Sequence, residues 1–215
     1  MSRIHDMQIK EYLDAIKKEE DEFIEGLRHF ALENNVPIIK NEVKELIEVL
    51  LASMRPLRIL EVGTAIGYSS LIMNRYLGEK GRITTIEISK DMVEIARKNI
   101  LEAGKESKIT ILEGDAGAVL PTLTESYDFI FMDAAKGQYI NLLPTCLKLL
   151  KRNGLLVSDN VLQNGDIAKS RWSIPRRHRT IHQRMRSYLW ELTHNKELKT
   201  TILPIADGVT ISCRL

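Results

Sequence analysis

The chain has 215 residues, 44% hydrophobic and 28% charged, with a formal net charge of +2. That is the make-up of a soluble globular protein large enough for one core, and it excludes a disordered or fibrous chain. No apolar run approaches the roughly 20 residues that a bilayer crossing needs, and Met1–Glu25 lacks a signal peptide's apolar stretch, so a cytoplasmic location away from membranes is expected.

Two helical segments come first. Asp6–Asn34 places Ile9, Leu13, Ile16, Phe23, Leu27 and Phe30 at helix-like spacing, and Asn41 then caps a helix striped by Val43, Leu46, Ile47, Leu50 and Leu51, which Pro56 stops. An alternation of strand and helix follows. Arg58–Gly63 reads as a strand and Tyr68–Leu77 as its helix; Arg82–Ile88 is the second strand, and Ser89 caps a helix through Asn99. Lys108–Glu113, Tyr127–Met132 and Gly154–Ser158 are strands three to five, with a helical pattern at Tyr139–Leu150 before the last. Only Ile205–Gly208 separates the final strands, Leu198–Pro204 and Val209–Cys213, so they form a hairpin and the last strand runs antiparallel. The fold class is α/β: a Rossmann-like seven-stranded sheet, six strands parallel and the last antiparallel, with helices on both faces. One domain spans residues 1–215, with extra N-terminal helices over 1–53 and a basic insertion over 163–190. Cys146 and Cys213 read as thiols rather than as a disulfide.

Charge is unevenly distributed. Between Ile167 and Trp190 lie Lys169, Arg171, Arg176, Arg177, Arg179, Arg184 and Arg186 with no acid; outside that segment 24 basic residues face 29 acidic ones. Such asymmetry raises the prior for a polyanionic partner, against the plainer reading of a solvated basic helix.

In sheets of this kind ligands sit outside the carboxyl ends of the strands, and the acids and glycines fall there. Gly63 and Gly67 lie in EVGTAIGYSS, where glycine lets the backbone approach a ligand. This is not the GxGxxG of a pyrophosphate binder. A glycine turn preceded by Glu61 suits S-adenosylmethionine (SAM), which carries an ammonium and a sulfonium. Glu87, ending strand two, can accept ribose hydroxyls, and Gly114-Asp115-Ala116, ending strand three, can meet an adenine edge. Asp133 ends strand four and Asp159-Asn160 ends strand five. Neighbouring strands lie about 4.8 Å apart, so these groups can converge as hard ligands for Mg²⁺ or Ca²⁺; the plainer alternative is an Asx turn at Asp159-Asn160. Lys136 follows in DAAKGQY, where a lysine beside a divalent cation can serve as a base or can be a solvated loop residue.

With EVGTAIGYSS, TIEI, EGDA, DAAKGQY, SDNVL and ADGVTIS in order, the chain from about Ile38 onward resembles the metal-dependent catechol-type O-methyltransferases that use SAM. The resemblance implies that Ile39, Glu61, Gly63, Ser69, Glu87, Asp115 and Asp133 contact SAM. It also implies that Asp133, Asp159 and Asn160 hold Mg²⁺, that Lys136 is the base, and that the chain is a homodimer. Leu198–Ile205 lacks the late glutamate that pairs with the second hydroxyl in the animal catechol enzyme. The stretch SRWSIPRRHRTIHQRMRSYLW is similar instead to the bacterial branch that methylates 5-hydroxyuridine in tRNA. The expected reaction is therefore methyl transfer to the tRNA 5-hydroxyl, giving 5-methoxyuridine. Arg171, Arg176, Arg177, Arg179, Arg184 and Arg186 would bind phosphates and Trp172 would stack on a base. The alternatives are a small-molecule O-methyltransferase acting on catechols or phenols, and a SAM- or RNA-binding module without catalysis.

Overall fold

The computed structural model describes residues 7–215. Its strands are β1 (Arg58–Val62), β2 (Arg82–Glu87), β3 (Ile109–Glu113), β4 (Tyr127–Met132), β5 (Leu150–Ser158), β6 (Leu198–Leu203) and β7 (Val209–Arg214). They form one sheet in the order β3-β2-β1-β4-β5-β7-β6. Pairings among β1 to β5 are all parallel, whereas β7 is antiparallel to both β5 and β6. Six strands thus run one way and β7 is reversed, as the short final connection requires.

The helices are α1 (Met7–Ala15), α2 (Glu22–Glu33), α3 (Asn41–Met54), α4 (Tyr68–Asn74), α5 (Lys90–Glu102), α6 (Ala116–Val119), α7 (Tyr139–Leu149) and α8 (Arg179–His194). Successive strand residues point to opposite faces, and the core divides accordingly. Ile59, Phe129, Phe131 and Val157 pack with α2, α3, α4 and α5, while Leu60, Ile130, Met132 and Leu156 pack with α7 and α8. Among the described residues no helix is long and apolar enough to cross a membrane. Both cysteines are free thiols.

The expected N-terminal helix, Asp6–Asn34, is two helices, and Asp6 lies outside the described residues. The first ends at Ala15, and Asp21 starts the second by turning its carboxylate onto the Phe23 and Ile24 amides at 3.1 and 3.3 Å, an N-cap arrangement. Glu20, beside that break, reaches Lys44 at 2.6 Å and Arg75 at 2.7 Å. Despite its depth these bonds hold its carboxyl down at about 2. The expected cap Asn41 is instead the first residue of α3; Lys40 occupies the cap position without a side-chain bond. The helix expected over Tyr68–Leu77 ends at Asn74, and β5 begins at Leu150 rather than Gly154.

From β1 the chain crosses to β2 and β3 on one side, then returns to β4 on the other. The connections therefore diverge at the carboxyl ends of β1 and β4, leaving a crevice there.

Candidate functional site

That crevice is a cavity of about 600 Å³. Of the residues expected to bind cofactor, metal or acceptor, Ile39, Gly63, Ser69, Glu87, Gly114, Asp115, Ala116, Asp133, Lys136 and Asn160 line it. Residues from six separate segments thus meet around one space.

The turn after β1 is built from below. Glu61 is fully buried and does not face the cavity. Ser69 and Ser70 donate their hydroxyls to its two oxygens, and Thr85 donates to Oε2 at 2.7 Å. Thr85 spends its proton on Glu61, so Thr64, 2.5 Å away, donates to Thr85. Burial pushes the Glu61 carboxyl up to about 7, against the pull of those three hydroxyls. Glu61 therefore anchors the Ser69–Ser70 turn and β2 from beneath; as a direct cofactor contact it is misplaced in this structure, because its oxygens are enclosed. Gly63 has φ +105, and a Cβ there would lie 2.1 Å from the Asp133 carbonyl oxygen. The glycine is required by the neighbouring strand's loop, a different reason from the ligand approach read in the sequence.

Glu87 braces the same turn. Its Oε2 accepts from the amides of Thr64 at 3.1 Å and Ala65 at 2.9 Å, and its Oε1 from Ser89 at 2.9 Å. An ionised carboxylate offers about four lone-pair sites, so capacity remains for a ligand hydroxyl. Asp115 caps α6, accepting from the Gly117 amide at 2.9 Å.

At the ends of β4 and β5 the acids come together. Asp133 faces the cavity; Asp159 is 3% exposed and lies behind the lining. The Asn160 amide donates to Asp133 Oδ1 at 3.1 Å, and the Asn160 backbone N–H to Asp159 Oδ1 at 2.6 Å. Burial raises both carboxyls. For Asp159 the charge of Asp133 adds to it and the value reaches about 7; for Asp133 the Asn160 bond and the Lys136 charge oppose the rise. The buried Tyr139 hydroxyl, directed at the carbonyls of Met132 at 3.2 Å and Asp159 at 3.1 Å, ties the two strand ends together. With the Asn160 amide turned so that its oxygen rather than its NH2 faces Asp133, the two crowded carboxylates and that oxygen would form a donor set suited to a hard divalent cation, which would relieve their repulsion. Among the described residues no three His, Cys, Asp or Glu side chains form a metal-ligating group, so such a site depends on Asn160 as its third ligand.

Lys136 is held by a residue that sequence reading passed over. Its Nζ lies 3.2 Å from Oδ2 of Asp207, which is 5% exposed. Asp207 lies in the ADGVTIS motif, and that placement was its only sequence signal. Val36, Pro37 and Ile38, which also line the cavity, carried no signal of their own.

The basic segment divides in two. Arg179 donates to the Ile174 carbonyl at 3.0 Å and lies 5.3 Å over the Trp172 ring. Arg184 donates to the Gly137 carbonyl at 3.2 Å and Arg186 to that of Ile167 at 3.0 Å. These three arginines brace the fold. Arg171, Arg176 and Arg177 are exposed and make no side-chain bond or ion pair among the described residues, and Trp172 is 78% exposed. None of the seven basic residues lines the cavity.

A reversed seventh strand beside a glycine- and acid-lined crevice defines a Rossmann-like methyltransferase fold. A family model described as O-methyltransferase matches residues 14–215, and the chain belongs to that family. A catechol O-methyltransferase of Niastella koreensis is 32% identical over 166 residues, covering 74% of this chain and 75% of the relative. A Staphylococcus aureus structure described as a candidate caffeoyl-CoA O-methyltransferase superposes with a TM-score of 0.89 at 33% identity, covering 98% of this chain and 100% of its own. The O-methyltransferase TomG of Streptomyces achromogenes, involved in tomaymycin synthesis and solved with SAM, gives 0.86 at 26% identity over 100% and 99% of the two chains. The names of these three proteins refer to catechol, caffeoyl-CoA and tomaymycin, none of them to tRNA.

Proposed function

We propose that the chain transfers a methyl group from SAM to a hydroxyl of a small phenolic acceptor carrying two vicinal oxygens, assisted by a divalent cation. The convergence of Asp133, Asn160 and Lys136 on the cavity lined by Gly63, Ser69, Glu87 and Gly114–Ala116 carries this reading. The relatives named for catechol and caffeoyl-CoA support the acceptor class, and TomG's complex supports SAM as donor.

Asp133, Asp159 and Asn160 would hold Mg²⁺, which when bound acidifies and orients an acceptor hydroxyl. The chain's own residues do the rest. Glu87 receives the ribose of the donor, and the Gly114–Ala116 turn lies against its base. The Gly63 turn, set by Glu61 and Glu87 from beneath, holds the donor's methyl toward Lys136. Lys136 Nζ takes the hydroxyl proton as the oxygen forms its bond to the methyl carbon and the carbon–sulfur bond breaks. Most of the rate comes from holding donor and acceptor in line.

A second reading keeps this chemistry and changes the acceptor to 5-hydroxyuridine in tRNA, whose 5-hydroxyl and O4 form the same vicinal pair. The observation favouring it is the free Arg171, Arg176, Arg177 and Trp172 cluster. The test is one incubation of protein, SAM and Mg²⁺ with either 3,4-dihydroxybenzoate or tRNA lacking 5-methoxyuridine, read by mass spectrometry. Methylated dihydroxybenzoate supports the first reading and methoxyuridine alone the second; transfer that survives EDTA refutes the metal. We also propose a cytoplasmic homodimer formed through α1, whose Ile9, Tyr12 and Leu13 are exposed, as is Ile16 just after it.

A further inference from the structure

Three loops meet at Asp207. Its Oδ1 accepts the Asn164 amide, its backbone carbonyl accepts the Leu162 amide at 2.8 Å, and its Oδ2 faces Lys136 Nζ at 3.2 Å. The next residue, Gly208, has φ +86, and its carbonyl accepts the Val161 amide at 3.0 Å. A Cβ on Gly208 would lie 2.3 Å from Leu162 Cγ, so the β6–β7 hairpin is pressed onto the segment after β5. That segment needs holding: Asn160, Gln163, Asn164 and Gly165 all have positive φ, a costly sequence for three non-glycine residues. Asp207 has no bond to backbone or side chain that serves the hairpin's own ladder; both carboxylate oxygens are spent on the other two loops.

We propose that Asp207 is a positioning residue for the transfer reaction, locking the Lys136 ammonium and the 160–165 segment into one register so that Lys136 Nζ and Asn160 face the same point of the cavity. The assignment rests on the reading of Lys136 as the base. Asp207 pairs with the Lys136 ammonium in the free protein. Lys136 gives up that proton as cation and acceptor bind, takes the acceptor's proton as the amine, and the ammonium so formed meets Asp207 again. That is the orienting role a buried carboxylate plays behind a general base. The side chain is nearly enclosed, so its interaction with Lys136 is screened less than a surface pair would be.

Asp207→Asn keeps the bond from Asn164 and removes the charge facing Lys136. The full chain labelled with ¹⁵N-lysine gives the direct readout. The Lys136 ammonium, identified by its loss in Lys136→Gln, is expected to show a protected cross-peak in the wild type and none in D207N. In the assay above, with whichever of the two acceptors is methylated, kcat of D207N is expected to fall about 10- to 100-fold while the KM for SAM stays unchanged. In a Lys136→Gln background D207N should cause no further fall, because residues acting as a unit are non-additive. Asp207→Glu, which keeps the charge, should recover part of the signal and of kcat, and it replaces D207N if that variant fails to fold. A persisting ammonium peak in D207N, or an equal loss in the Lys136→Gln background, overturns the positioning role. Full activity of Lys136→Gln itself would refute the base reading instead, and the ammonium peak still decides whether Asp207 holds Lys136.

Discussion

Burial and the neighbouring Asp133 both work against the charge of Asp159, and replacing it with asparagine separates stability from activity. The unfolded chain leaves the carboxyl near 3.8, whereas the fold lifts it to about 7 through burial and the Asp133 charge. The folded state therefore binds more protons between those values. Its stability from this group is complete below pH 3.8 and is lost as pH rises toward 7. The roughly three units correspond to about 4 kcal/mol above pH 7. Asparagine removes that cost but buries an amide, at about 1–3 kcal/mol, so Asp159→Asn should gain about 2 kcal/mol at pH 8 in EDTA. For a chain of this size that is roughly 4–8 °C in Tm. The gain should shrink to nothing, or reverse, by pH 4. Thermal and urea unfolding across pH 4–9 measure it. Adding Mg²⁺ should stabilise the wild type by about 2.7 kcal/mol at a hundred times Kd and leave D159N unmoved, and D159N should transfer no methyl group. A wild-type-minus-variant difference that is flat in pH would refute the reasoning about the Asp133–Asp159 pair.

Other residues give sharper single outcomes. Gly63→Ala should destabilise the chain by about 1–3 kcal/mol for its backbone alone, and displace Asp133, because the new Cβ would overlap the Asp133 carbonyl at 2.1 Å; urea unfolding and SAM calorimetry check both. Reversing charge at Arg171, Arg176 and Arg177 should leave folding intact and spare transfer to dihydroxybenzoate, while any activity on tRNA collapses; unchanged tRNA turnover would end the second reading. Reversing Arg179 instead should lower Tm, since its guanidinium holds the Ile174 carbonyl. Leu13→Lys on α1 should shift light scattering from dimer to monomer, and an unchanged mass would rule α1 out as the contact.

The sequence by itself determined the alternation of strands and helices, the reversed last strand and the row of acids and glycines at the strand ends. Each is a local signal: β-branched runs, turn residues, and the four-residue gap between the last two strands that leaves room only for a hairpin. It also determined the reach of the basic segment, since charge is composition. Only the tertiary structure decided which of those acids face the ligand. Glu61 and Glu87 end neighbouring strands, yet one is sealed beneath three hydroxyls and the other opens on the cavity. Strand ends tell where a side chain starts, and packing decides what encloses it. The split of the basic segment into bracing and free arginines depends on carbonyls 5 to 47 residues away, which no spacing in the chain encodes. The break before α2 answers to Lys44 and Arg75, which reach Glu20 only once α3 and α4 are packed. Asp207 is the clearest case. It is 71 residues from Lys136, and their meeting exists only because the β6–β7 hairpin folds back over the ends of β4 and β5.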